Sequence, residues 1–63
     1  MPDHEIRLFG ADGTLSITMV LGGTSQYEAE LQALAMLKGD IARAEIWADL
    51  DLVKTVTLPA GEN

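Results

Sequence analysis

The residues with chemistry to offer sit together in "AEIWADLDLVKTV", Ala44 to Val56. Trp47 is the only tryptophan of the chain, and Glu45, Asp49 and Asp51 surround it. Carboxylates around an indole suit one task above others. They grip a cationic surface while the ring serves as a rigid apolar anchor. Paired carboxylates also do acid–base chemistry, but only in a cleft that separates their pKa values, and so short a chain has little room for one. A metal asks for more ligands than this sequence groups together. His4 is the sole histidine and has no second ligand beside it. "DLD", Asp49 to Asp51, holds two acids but lacks the glycine and the further ligands of a calcium loop. "GADGT" lacks the first and third acids of such a loop. "GGTS", Gly22 to Ser25, lacks the lysine of a phosphate loop and reads as a turn into a helix. There is no cysteine, and neither Ser16 nor Ser25 has a histidine placed for it. The expectation is a protein with no catalytic residue, no cofactor and no metal.

The elements that must position these residues follow from periodicity. "EIRLF" alternates, with Ile6 and Leu8 on one side and Glu5, Arg7 and Phe9 on the other. "GADG" is a hairpin loop with a bulge, since Asp12 tolerates and Gly13 freely supplies a left-handed backbone. "TLSITMVL" alternates again: Leu15, Ile17, Met19 and Leu21 share a face, and Thr14, Ser16, Thr18 and Val20 share the other. The period then changes. Ser25 with Glu28 forms a capping box, and a helix runs from about Gln26 to Lys38, closed by Gly39. Its expected inner stripe is Tyr27, Leu31, Leu34, Ala35 and Leu37, with Ala29, Ala33 and Met36 as a weaker outer strip. Ala44, Ile46 and Ala48 then oppose Glu45, Trp47 and Asp49. "ADLD" is a turn, and residues 52–58 form the last strand, with Leu52, Val56 and Leu58 inward and Lys54 at an edge. The fold expected is α+β: a two-layer ββαββ domain whose antiparallel sheet carries one helix on one face. One domain spans residues 1–63, with its core at about 5–58 and short tails that include His4.

One helix covers one face of such a sheet. Phe9, Val20 and Trp47 then fall on the uncovered face, among Arg7, Glu45 and Asp49. Three placements are open for the indole: a contact surface, a shield stacked on Arg7, or the core by way of a strand bulge.

Charge narrows the partners. Ten acids face four bases, giving −6 and a pI near 4.3. A phosphate backbone would be repelled, so direct nucleic-acid binding is disfavoured. Acidity also keeps small domains dispersed, so solubility is the plain explanation to weigh against it. No apolar run is long enough for a membrane span, and no basic region precedes an apolar one; a cytoplasmic protein is expected.

In size, element order and the "EIW…D…LVKTV" ending, the chain resembles small bacterial and phage ββαββ domains of unknown function. In length, acidity and lack of a site it is also similar to anti-CRISPR proteins carried by phages. That group shares no motif, so no functional residue transfers. The resemblance implies a mechanism class: a compact acidic body on a basic surface that would otherwise receive nucleic acid. The residues expected at such a contact are Trp47, Glu45, Asp49, Asp51, Glu28 and Phe9. The alternative is a structural homodimer or a regulatory domain that pairs through its open sheet face.

Overall fold

The structure, a computed structural model, describes residues 3–57. It has the expected element order: β1 (His4–Gly10), β2 (Leu15–Leu21), α1 (Gln26–Ala35), β3 (Ile41–Ala48) and β4 (Asp51–Thr57). The strands form one antiparallel sheet in the order β2-β1-β3-β4. The helix packs on one face of it, over β1, β3 and β4. Leu58 and the "PAGEN" tail lie outside the described residues.

The first hairpin turns as its sequence requires. The Gly13 amide donates to the Gly10 carbonyl at 3.0 Å, the Gly10 amide donates to the Thr14 carbonyl at 3.0 Å, and Gly13 sits at φ 85°. This is a three-residue loop with a left-handed third position, where a side chain would be strained. The Thr14 amide donates to Asp12 Oδ1 at 3.0 Å, and that bond holds the Asp12 carboxyl below its ordinary value. The second hairpin turns on Asp49 and Leu50, with Asp49 at φ 56°. Aspartate is one of the few residues other than glycine that tolerate this region.

Three strand irregularities change which side chains face where. Leu8 pairs with Ile17 but Phe9 pairs with Leu15, so Ser16 is an extra residue. Ile46 pairs with Lys54 but Trp47 pairs with Leu52, so Val53 is extra. Ala42 is extra opposite β1. Each bulge shifts the alternation by one. Leu15 and Leu52, expected inside, therefore stand on the open face beside Phe9 and Trp47, each about half exposed. The register slip reverses their side and leaves Val56, beyond the bulge, buried.

The larger correction concerns the helix. Its buried residues are Ala29 and Ala33, both fully enclosed, while Tyr27, Leu31 and Leu34 are exposed. The expected inner stripe is outside. Leu37, in the turn after the helix, is buried as expected. Ala29 and Ala33 are one turn apart and share the helix face that meets the sheet, and Leu37, just past the helix end, is buried in the same cluster. The sheet supplies the bulk at this contact, through Ile6, Leu8, Ile46 and Val56, and the helix supplies small residues that let it approach. The helix also ends at Ala35 with Met36 as its cap, earlier than Lys38. Ser25 caps it as expected, its Oγ accepting the Glu28 amide at 3.2 Å while its own amide donates to Glu28 Oε1 at 3.1 Å.

His4 is not in a tail. It is the first residue of β1, buried, with Nδ1 3.5 Å from Thr24 Oγ1.

Two outcomes follow from this packing. Ala33→Leu is expected to lower unfolding stability by about 1–3 kcal/mol, because a large side chain lifts the helix from the sheet. Leu31→Ala and Leu34→Ala are expected to change it by no more than about 0.5 kcal/mol. Urea unfolding of the three variants measures this; a Leu31→Ala cost of about 2–5 kcal/mol, the figure for a core leucine, would place the leucine stripe inside. The Asp12 bond adds a pH term. Its folded pKa is depressed, so its stabilisation is complete above the unfolded value and is lost as pH falls through the folded one. NMR titration of the carboxyl carbons is expected to show Asp12 protonating below the ordinary aspartate value, and an ordinary titration would contradict the bond.

Candidate functional site

The face of the sheet away from the helix is a two-dimensional array. Along one row Val20, Glu5, Trp47 and Leu52 stand side by side. The next row holds Thr18, Arg7, Glu45 and Thr55, and the third Leu15, Phe9, Arg43 and Thr57. Trp47 and Phe9 lie on this face, as the alternation requires, and both are half-buried. The indole is therefore outside the core.

Each ring has a guanidinium laid on it. Arg7 Cζ is 4.2 Å from the Trp47 ring centre, and Arg43 Cζ is 4.1 Å from that of Phe9. Each arginine is one row removed from its ring or directly across from it, so the flat cation reaches over the π-face. The same cations are also paired. Arg7 Nε donates to Glu5 Oε2. Arg43 Nη1 donates to Glu45 Oε2 at 2.9 Å, and Trp47 Nε1 donates to Glu45 Oε1 at 3.1 Å. Glu45 thus uses one oxygen for the arginine and the other for the indole. These contacts cover the rings with the chain's own polar side chains, and the four charges of the array cancel. Glu45, expected to be a contact carboxylate, is committed to organising this face.

The free acids lie elsewhere. After these two pairs, the described residues hold Asp3, Asp12, Glu28, Glu30, Asp40, Asp49 and Asp51, against Lys38 and Lys54. Asp3, Asp49 and Asp51 gather at one end of the sheet, where His4 pairs with Leu21 and Ala48, and Ala48 pairs with Asp51. A shallow hollow of about 140 Å³ opens there, lined by Asp3, His4, Glu5, Val20, Trp47 and Asp49. The Asp49–Leu50 turn projects beside it, with Leu50 91% exposed. Asp3 Oδ1 also accepts the Gly23 amide at 3.3 Å, which ties the start of β1 to the link before the helix. That link places the helix N-terminus at this end too. Glu28 is exposed there, but its carboxylate is engaged with Ser25.

The structure therefore brings Trp47, Asp49 and Asp51 to one end and adds Asp3 and Glu5 to them. Phe9 is two rows away on the same face. Asp3 was missed because it precedes the first alternating segment; the antiparallel pairing of β1 with β3 was the signal that could have placed it. Among the described residues, no helix is long and apolar enough to cross a membrane, and no group of three or more potential metal ligands occurs. Comparison with protein-family models, with curated proteins and with solved structures gives no match.

The stacking of Arg7 on Trp47 is open to direct measurement. A double-mutant cycle of Arg7→Ala with Trp47→Ala is expected to give a coupling of about 0.5–1 kcal/mol. Arg7→Ala alone is expected to shift the Trp47 emission to longer wavelength as water reaches the ring. Zero coupling with unchanged emission would show that the guanidinium does not cover the indole.

Proposed function

We propose that this chain is a small acidic protein-binding module without enzymatic activity, whose acidic end docks on a basic surface of a partner. The partner class is a nucleic-acid-handling protein, and the mode is occupation of its nucleic-acid-binding surface, as in an anti-CRISPR inhibitor. One observation carries this reading: Asp3, Asp49 and Asp51 share an end with the Trp47 hollow, and among the described residues none of them is in an ion pair. Unpaired carboxylates steer and hold a cationic partner. Trp47, which lines the hollow, and the exposed Leu50 beside it supply the apolar contact that charge alone lacks. Both arginines are laid on rings and bound to carboxylates, which sets them in competition with any phosphate and favours a reading without direct nucleic-acid binding. Glu45 acts in this reading as the residue that orients Trp47. Glu28 and Phe9 lie at its margin.

The test compares two variants of equal charge. Asp49→Asn/Asp51→Lys alters the acidic end, with asparagine chosen because it keeps the positive φ of the turn. Asp12→Asn/Asp40→Lys makes the same change in net charge at the opposite end. Binding to a deca-arginine peptide, read by calorimetry at low and high salt, is expected to weaken roughly tenfold in the first variant. The second is expected to stay within about twofold of the parent. Equal losses in both would show that only net charge matters, and an affinity unmoved by salt would remove the mimicry reading.

A further inference from the structure

The two edges of the sheet are built differently. β4 carries Asp51 and Lys54 and a bulge at Val53, the devices that keep an edge from pairing. β2 carries none along its middle. Its seven residues, "LSITMVL", include no charge, no proline and no glycine, and its one irregularity is at Ser16, near its start. Most of them are exposed, with Ile17 at 49% and Val20 at 64%. The helix rests mainly on the other three strands; on the inner side of β2, Met19 and Leu21 pack partly against the core while Ile17 stays half exposed. A strand of this composition at an open edge presents a row of backbone donors and acceptors ready for another strand.

We propose that the occupant of this edge is β2 of a second copy, joined antiparallel about a two-fold axis at Thr18, making one continuous eight-stranded sheet. Three features select a second copy over a foreign strand. The first is electrostatic. The β2 edge offers a charged foreign strand no ion-pair partner, whereas two copies, despite a charge of −6 each, meet along it with no acid facing acid. The second is self-complementarity. With Thr18 opposite itself, Ile17 meets Met19 on the helix side and Ser16 meets Val20 on the open side, so apolar faces apolar where the core begins and the threonine hydroxyls meet at the axis. The third is the thin core of one chain. Among the described residues its buried large side chains are Ile6, Leu8, Leu37, Ile46 and Val56. A chain of this length without a disulfide gains from a partner that extends the sheet. The two-fold also sets the acidic ends at opposite corners of the joined sheet, because Leu21 of one copy lies beside Leu15 of the other. The edge pairing is independent of the docking reading and stands or falls without it.

Sedimentation equilibrium of the full chain over a concentration series tests this. The parent is expected to approach twice the 6.8 kDa of one chain. Thr18→Glu is expected to halve that mass at the same loading, since two carboxylates would face each other at the axis. In the single chain the new acid faces Arg7 across β1, which preserves the fold, and circular dichroism checks that it does. Thr57→Glu is the control, because it places an acid opposite Arg43 at the other edge and is expected to leave the mass unchanged. A parent that stays at 6.8 kDa up to millimolar concentration overturns the proposal and leaves the edge to a foreign strand. A folded Thr18→Glu variant that keeps the parent's mass overturns it equally, as does a Thr57→Glu variant that alone loses it.

Discussion

The helix rests on the sheet through two methyl groups. Ala29 and Ala33 are fully enclosed, and the large side chains of the contact all come from the strands or from Leu37. Small residues on the helix let the two layers close to van der Waals distance without disturbing the isoleucines beneath. That choice sets everything outside it. With the alanine row facing down, Tyr27, Leu31 and Leu34 face up, and the large side chains of the core come from the sheet and from Leu37. Burying a large aliphatic side chain is worth about 1.5–3 kcal/mol, and few are buried here. A protein built this way has little stability to spare.

The opposite side of the sheet meets the same shortage with different chemistry. Among the described residues no second layer covers it, and its two rings are roofed by arginines that Glu5 and Glu45 fix in turn. An exposed cation–π pair contributes about 0.5–1 kcal/mol, less than burial would, but it keeps the face soluble and locally neutral. Neutrality there sorts the remaining charge. Of the acids without an arginine, Asp3, Asp49 and Asp51 lie at one end of the sheet beside Trp47, Asp12 and Asp40 at the other, and Glu28 and Glu30 on the helix. The proposed docking and the proposed edge pairing use separate parts of this surface, the acidic end and the uncharged strand, and neither uses the neutral array.

Much of this was legible in the residues. Alternation in "EIRLF", the turn in "GADG" and the Ser25–Glu28 box are local signals, and local signals decided the order of the elements and the open position of Phe9 and Trp47. The misplacements of Leu15, Leu52 and the leucine stripe have different causes. A bulge adds a residue without marking it by glycine, and at Ser16 and Val53 nothing in the residue type announces it. The helix offered two stripes, one of leucines and one of alanines. Size favoured the leucines, whereas fit against a sheet already lined with isoleucine favours the alanines. That preference belongs to the pair of layers and is not readable from either alone. The engagement of Glu45 with Arg43 and Trp47 was hidden for a related reason. Its carboxylate looked free because Arg43 precedes it by two residues, a spacing that is adjacent on a strand face but unremarkable along a chain.

The most direct measurement is a set of methyl–methyl nuclear Overhauser contacts in the folded chain. The Ala29 and Ala33 methyls should show contacts to Ile6 or Ile46, while the Leu31 and Leu34 methyls show none to either isoleucine. Strong contacts from Leu31 or Leu34 to Ile46, with the alanine methyls silent, would mean that the helix lies the other way up and that its leucine stripe belongs to the core.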